Sequence, residues 1–126
     1  MTKGARGEAI LSVDGREYPI LFTNRAMAEA EQRTGKTITA LASGAGQGLL
    51  GIGETAALLV TGLEAARKAS GLPGRATQMQ DAYSLLDAAG FGNVAAVVYE
   101  AIAAVLGYDP GKGASDDADD AERPTK

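Results

Sequence analysis

Two stretches of this sequence have residue types and spacings that could support chemistry. Gly46, Gly48 and Gly51 satisfy the pattern G-x-G-x-x-G of a dinucleotide-binding turn. That turn requires a preceding strand and a crossover helix, whereas the residues before Gly46 are typical of helix and no further strands follow. Asp116–Asp120 holds four aspartates but lacks the glycine and the terminal glutamate of a calcium loop. We therefore interpret the first stretch as a loop and the second as a solvated acidic segment.

The chain has no histidine and no cysteine. Histidine is the most common general base and transition-metal ligand, and cysteine supplies thiolates and disulfides. Tyr83, Tyr99 and Tyr108 could stack against a ligand, but the helical spacing of the first two favours core positions. We therefore expect no catalytic residue, no cofactor and no metal site, and we expect that the protein is not an enzyme.

Charge and hydropathy limit the classes of partner. The net charge is -4 at pH 7, and residues 109–126 carry six acids and three bases, so the rest of the chain is nearly neutral. Without a basic stripe to displace phosphate counterions, we expect no nucleic-acid binding. The longest apolar run, Val94–Leu106, has 13 residues and contains Glu100, whereas a membrane-spanning helix needs about 20. We expect no membrane insertion and a cytoplasmic location.

Two extended runs joined by Asp14 and Gly15 predict an N-terminal β-hairpin. Asp-Gly favours a two-residue turn because both central positions require positive φ. The resulting register pairs Leu11 with Tyr18, and Pro19 is expected on an edge strand because it cannot donate a ladder hydrogen bond. The residues that share the apolar face in this register are Ala9, Leu11, Val13, Tyr18, Ile20 and Phe22.

Apolar residues at helical spacing predict four short helices after the hairpin, over about residues 24–33, 54–69, 78–89 and 94–106. Thr23 or Asn24 is the expected cap of the first helix, Thr77 of the third and Asn93 of the fourth. A short helical turn is expected at Thr37–Ala42. Residues 44–53 contain five glycines, so we expect no helix there.

The predicted fold class is α+β and mostly α, with the hairpin packed on a bundle of about four short helices. Residues 1–6 are expected to form a flexible lead and residues 7–108 a single domain. Residues 109–126 show no apolar period and are expected to form a disordered acidic tail.

Two apolar segments supply the candidate partner-binding residues. The segment from Leu49 to Ile52 is either an adaptable segment that orders on a partner or a loop packed on its own core. The segment Val94–Leu106 is apolar on nearly every side, and one hairpin and four short helices offer little material to surround it. The alternative for this segment is an exposed alanine face without function. The candidate contact residues are Leu49, Leu50, Ile52, Val94, Val98, Ile102 and Val105.

Several short motifs occur one after another along the chain. They are Arg6-Gly7-Glu8, the hairpin run Leu11-Ser12-Val13-Asp14-Gly15-Arg16-Glu17-Tyr18, the stretch from Phe22 and Thr23 through Ala26, Glu29 and Glu31 to Gly35, then Gly62-Leu63 and Leu85-Leu86-Asp87-Ala88-Ala89-Gly90. In order and spacing they resemble the small tail proteins of siphophages and gene transfer agents that are classed as tail assembly chaperones. The resemblance covers roughly residues 6–107, and the sequence departs from the family in its glycine-rich stretch 44–53.

The resemblance implies a non-enzymatic protein of phage tail morphogenesis in the cytoplasm of a bacterial host cell. Its expected partners are the tape measure protein and the tail tube protein, and homo-oligomers are a further expectation. The alternative is a structural virion protein, a tail tube or tail-completion subunit. A tube subunit normally needs a sheet large enough to close a ring, for which one hairpin is too small.

Overall fold

The computed structural model describes residues 7–71 and 73–107. The predicted lead at residues 1–6 and the predicted tail at residues 109–126, including Asp116–Asp120, lie outside the described residues, as do Leu72 and Tyr108. The described residues form an antiparallel hairpin followed by five helices, which confirms the α+β, mostly helical class. The elements are β1 (Glu8–Val13), β2 (Arg16–Leu21), α1 (Asn24–Thr34), α2 (Ile38–Gln47), α3 (Ile52–Ser70), α4 (Met79–Ala89) and α5 (Phe91–Leu106).

The hairpin has the predicted register, with Leu11 opposite Tyr18. Asp14 and Gly15 have φ values of 51° and 78°, as the two-residue turn between twisted strands requires. The predicted apolar face is buried except at Tyr18, which is half-buried. The turn chemistry alone therefore determines which side chains of the hairpin enter the core.

Pro19 lies opposite Ile10 in this register. The pairs that flank a two-residue turn exchange hydrogen bonds, and hydrogen-bonded and non-bonded pairs alternate away from it. Ile10 and Pro19 are therefore a non-bonded pair, and the nitrogen of Pro19 faces away from β1. The missing N–H lies on the outer edge of β2, where no ladder bond is lost.

The central helix of the fold is α3, which packs against β2, α1, α4 and α5. Its residues 55–63 are buried without interruption. Gly62 lies against the hairpin: a Cβ added there would lie 2.9 Å from Cε2 of Phe22 and closer still to the side chain of Ile20. The absence of a side chain at this position allows the helix to approach the strand.

Capping residues determine where the helices begin. The caps of two helices, α4 and α5, differ from the predicted residues. Thr23 caps α1, because its hydroxyl accepts a hydrogen bond from the amide of Ala26 at 3.1 Å. The cap of α4 is Gln78 rather than Thr77, because its amide donates to the carboxylate of Asp81. Helix α5 begins at Phe91, before the predicted cap Asn93. These boundaries differ from the predicted ones by one to three residues, as expected from sequence alone.

The prediction of no helix in residues 44–53 is wrong at both ends, since α2 runs through Gly44 and Gly46 to Gln47 and α3 begins at Ile52. Both glycines make close contacts possible. A Cβ on Gly44 would lie 2.8 Å from Cδ2 of Leu50, and one on Gly46 would lie 2.8 Å from Cε1 of Tyr99. Tertiary packing of α2 against Leu50 and α5 therefore outweighs the poor helix propensity of glycine.

The additional helix changes the interpretation of α5. Packed against α2, α3, α4 and the hairpin, α5 has Val94, Val98 and Ile102 at 0% exposure. These three residues are core residues of their own chain, so their prediction as partner contacts is corrected. Val105 is half-buried and its side chain contacts the backbone at Gly7.

Within residues 7–71 and 73–107, no single helix is long and apolar enough to cross a membrane. Two pairs of consecutive helices, α2–α3 and α4–α5, reach that length and hydropathy when taken together, but each pair is sharply bent, by 118° and 115°.

We expect Gly62→Ala to destabilise the fold by about 1–3 kcal/mol, because the new methyl group overlaps Ile20 and Phe22, neither of which has room to move. The measurement is the free energy of unfolding in urea. Gly92→Ala is the matched control, since Gly92 is also helical and has no atom within 4 Å of an added Cβ. That variant should gain up to about 1 kcal/mol. Equal behaviour of the two variants would contradict the close packing of α3 on the hairpin.

Candidate protein-contact site

Three large hydrophobic side chains are exposed among the described residues. Leu49 is 72% exposed, Ile52 is 60% exposed and Tyr83 is 42% exposed. Leu49 and Ile52 lie at the corner between α2 and α3, and Tyr83 reaches this corner from α4. We call these three residues the corner patch. Single exposed leucines are ordinary on protein surfaces, but a cluster of large apolar side chains is typical of a contact site.

Backbone hydrogen bonds and one buried side chain fix the shape of the corner. Gly48 ends α2 in the left-handed conformation, with φ of 71°, and the amide of Leu49 donates to the carbonyl of Gly44 at 2.8 Å. Leu50, only 7% exposed, packs on Gly44 and anchors the turn in the core. Because Leu50 points inward, its neighbour Leu49 is held outward.

The start of α3 is held by Glu54. Its carboxylate accepts a hydrogen bond from the amide of Gly51 at 3.1 Å and forms an ion pair with Lys36 at 2.5 Å. The hydrogen bond from Lys36, followed by the one from Gly51, lowers the pKa of Glu54. Ile52, in the first turn of α3, is therefore presented by a helix end that is tied to the α1–α2 link.

Tyr83 joins the patch through Gly53, since its hydroxyl would lie 4.0 Å from a Cβ on that residue. The helical spacing of Tyr83 predicts a core position, and this prediction is wrong. A signal was present: Gln80 and Asp87, three residues before and four residues after Tyr83, are polar and exposed. They mark the outer face of α4 on which Tyr83 lies.

The structure places the seven predicted contact residues in different environments. Leu49 and Ile52 are on the surface, whereas Leu50 is part of the core. The corner is packed on the core through Leu50, as the second interpretation of the segment predicts, and it still presents two apolar side chains, so its contact with a partner stays a prediction. Val94, Val98 and Ile102 contribute only to the interior.

The glycine pattern has none of the surroundings of a dinucleotide turn. Gly46 lies inside α2, Gly48 ends it, and Gly51 precedes α3, so no strand leads into the pattern. Within the described part of the chain, no three Asp or Glu side chains come together as a metal site. The corner patch consists of two aliphatic side chains and one tyrosine ring.

A second polar feature holds the link between α3 and α4. The carboxylate of Glu64 accepts hydrogen bonds from Nε and Nη2 of Arg67, at 2.9 and 2.6 Å, and from the amide of Thr77 at 2.8 Å. The hydrogen bonds from Arg67, reinforced by that from Thr77, lower the pKa of Glu64 to about 2. A charged group on α3 therefore fixes the end of the link 13 residues further along.

Asp81 also stabilises the link between α3 and α4. Its carboxylate accepts hydrogen bonds from Nη1 and Nη2 of Arg75, at 3.0 and 2.8 Å, and from the amide of Gln78 at 2.8 Å. The hydrogen bonds from Arg75 and then from Gln78 lower the pKa of Asp81. Because α4 carries Tyr83, these two carboxylates also determine the position of one member of the corner patch.

Comparison with known proteins gives no relative: no protein-family model, no curated protein and no solved structure matches the chain.

Truncation of the two adjacent leucines at the corner should affect the free energy of unfolding very differently. We expect Leu50→Ala to lower the free energy of unfolding by about 2–3 kcal/mol, because it leaves a cavity against Gly44. Leu49→Ala should change it by less than about 0.5 kcal/mol, because its side chain is 72% exposed. Chemical denaturation of both variants measures the difference. A large loss of stability for Leu49→Ala would show that this side chain packs on its own chain.

Glu64 should make the fold sensitive to acid. Its folded pKa of about 2 is below the ordinary value of 4.5, so its stabilising contribution is complete above pH 4.5 and is lost as the pH falls towards 2. We expect Glu64→Gln to lose about 1–3 kcal/mol at pH 7 and to show a weaker decline in stability between pH 4.5 and 2. Thermal unfolding across this range measures both effects. Arg25→Gln, at an exposed site on α1, is the control and should follow the parent protein.

Proposed function

We propose that this protein is a tail assembly chaperone of a siphophage or gene transfer agent, which binds the tape measure protein and helps recruit tail tube subunits. The observation that carries the proposal is the corner patch, which presents Leu49, Ile52 and Tyr83 to solvent from a corner fixed by backbone hydrogen bonds. The order and spacing of the motifs from Arg6 to Gly90 support the same function by resemblance.

The size of the patch suits reversible binding. Three side chains bury much less area than the roughly 800 Å² per partner of a stable complex, so one copy should bind weakly. A tape measure protein offers a long helical surface on which many copies can bind together. When many copies bind one long partner, their weak contacts add. The coat as a whole is then stable, while each single copy can still dissociate.

The shape and the rim of the patch favour a helical partner. An amphipathic helix is recognised when a few of its apolar side chains meet an apolar surface. The corner patch offers three such contacts around the junction of α2, α3 and α4. Polar groups lie close in sequence to two of its members: Glu54 of the Lys36–Glu54 ion pair is two residues from Ile52, and the exposed Asp87 is four residues from Tyr83. A polar rim around an apolar centre is the usual arrangement in a protein–protein contact.

A structural role in the finished tail is the alternative function. A tube subunit joins its neighbours through an extended sheet, whereas the described residues contain one two-stranded hairpin. The outer edge of β2 also carries Pro19, which cannot donate to an added strand. Both features favour a transient chaperone over a tube subunit. In this proposal the protein carries out no chemical reaction.

The direct test is co-purification of the tagged protein with the tape measure protein encoded near it. We expect the parent protein to retain the tape measure protein in solution. The double variant Leu49→Asp, Ile52→Asp should lose at least tenfold in binding, because it places charges in the apolar contact. Thermal unfolding should show that this variant remains folded. Arg25→Asp reverses a charge on α1, which changes the net charge as much as the two aspartates do, and it should bind like the parent.

Mass spectrometry of purified particles separates the chaperone from the structural alternative. We expect the protein in lysates during assembly and not in mature tails. A stoichiometric amount in finished particles would overturn the chaperone proposal. Binding to the tape measure protein that is unaffected by Leu49→Asp, Ile52→Asp would show that the corner patch is not the contact.

A further inference from the structure

The two outer edges of the hairpin differ. The outer edge of β2 has Pro19 at its middle, which cannot donate a ladder hydrogen bond, and α3 packs against this strand. The outer edge of β1 has Ile10 at the equivalent position, and this strand contains neither proline nor lysine, which commonly protect an edge. Within the described part of the chain, the hairpin therefore has one blocked edge and one open edge.

Three residues of β1 direct their backbone groups towards the open edge. Hydrogen-bonded and non-bonded pairs alternate along the hairpin, and the pairs that contain Glu8, Ile10 and Ser12 are the non-bonded ones. The N–H and C=O groups of these three residues therefore point away from β2. No described residue forms a hydrogen bond with any of them. Buried backbone groups without a partner are costly, so these groups are available to water or to an added strand.

The side chains along this edge indicate which strand would fit. Ile10 is half-buried and lies on the outer face between Glu8 and Ser12. Glu8 takes part in none of the ion pairs among the described residues. On the other face, Ala9 and Leu11 are each 2% exposed, so an added strand would extend an apolar face. Since directly opposite side chains of adjacent strands interact, a complementary strand has an apolar residue beside Ile10 and a cation beside Glu8.

A second copy of this chain does not fit the edge. Antiparallel pairing of β1 with the β1 of another copy would place the helices of both copies on the same face of the joined sheet. Helix α5 packs against β1 more than against β2. Adjacent strands are about 4.8 Å apart, whereas packed helices need about 8–10 Å, so the two α5 helices would collide. The occupant is therefore a single extended segment without a helical layer of its own.

The chain's own residues 109–126 are a poor match to the same edge. They contain two prolines and two glycines, which have low strand propensity. They also carry six acids, and a like charge beside Glu8 disfavours pairing. These properties favour a segment of another protein over a segment of this chain.

We propose that the outer edge of β1 binds an extended segment of a partner protein as an added antiparallel strand, with an apolar side chain beside Ile10 and a lysine or arginine beside Glu8. Backbone hydrogen bonds supply the affinity in this mode of recognition, and the two side-chain contacts supply the specificity. The site contains no residue of the corner patch, so the inference does not rest on the proposed function.

The test is an NMR titration of the ¹⁵N-labelled full-length protein with acetyl-Thr-Leu-Val-Leu-Lys-amide. Its threonine, valine and lysine are placed to pair with Ser12, Ile10 and Glu8. We expect a Kd on the order of 1 mM. The amide signals of Ile10 and Ser12 should shift and exchange more slowly with solvent, because both amides gain hydrogen-bond acceptors. The signals of Leu49 and Ile52 should not change.

Two N-methylated peptides provide a matched control for the backbone hydrogen bonds. In the antiparallel pairing, the N–H of the valine points to Ile10, whereas the N–H of each leucine points away from β1. N-methylation of the valine should therefore weaken binding at least about tenfold, because it removes a hydrogen bond at the centre of the ladder. N-methylation of the first leucine should leave the Kd within about twofold of the unmodified peptide.

Variants of the protein test the same pairing from the other side. Ile10→Pro removes an outward N–H, as Pro19 does on β2, and should weaken binding at least about tenfold. Glu17→Pro removes an outward N–H of β2 instead and should bind normally, and thermal unfolding should show that both variants are folded. Glu8→Lys leaves the backbone unchanged. It should bind the lysine peptide about threefold more weakly than the parent does, and acetyl-Thr-Leu-Val-Leu-Glu-amide about threefold more tightly.

Equal binding of the two N-methylated peptides would overturn the proposal, as would an absence of shifts at 10 mM peptide, about ten times the expected Kd. Slow exchange of the Ile10 amide before any peptide is added would overturn it in favour of the chain's own residues as the occupant. A concentration-dependent dimer that Ile10→Pro abolishes would overturn it in favour of a second copy. Since the tape measure experiment changes Leu49 and Ile52, either proposal can fail without the other.

Discussion

The close contact of α3 with the hairpin at Gly62 is the constraint on which the other packing depends. Among the described residues, the core is built largely from alanine, valine and leucine, and Phe22 supplies the one fully buried aromatic ring. Small side chains bury little area each, so the elements must approach closely to exclude water. Gly62 allows this approach where the central helix crosses Ile20 and Phe22. This contact fixes the middle of α3 on the hairpin, and the corner patch lies at the first end of the same helix.

The sequence allowed prediction of those parts of the fold that are determined by local chemistry. The hairpin register follows from Asp14 and Gly15, because their positive φ values fix the turn and the turn fixes the pairing. The cap of α1 follows from the hydroxyl of Thr23. In each case the residues that determine the structure are within a few positions of each other, so their effect can be evaluated without knowledge of the fold.

The errors in the glycine-rich stretch and in α5 share one origin, which is the helix α2. Gly44 and Gly46 indicate a loop when only local propensity is considered, yet each lies where a side chain would collide with Leu50 or Tyr99. Such long-range contacts are not evident in a single sequence. Because only a short helical turn at Thr37–Ala42 is predicted where α2 lies, too few elements are available in the prediction to surround α5, and its Val94, Val98 and Ile102 are assigned to a partner. Of the candidate site, only Leu49 and Ile52 could be predicted, since the exposure of Tyr83 depends on how α4 lies on α3.

Pro19 has a consequence for the behaviour of the protein at high concentration. Exposed strand edges are places where identical chains can pair backbone to backbone and grow into fibres. In this hairpin the outer edge of β2 lacks an N–H at its middle position, so an added strand cannot complete its ladder there. At this edge, pairing of the backbone with a strand of a second copy is therefore interrupted, and contacts between copies there are left to side chains.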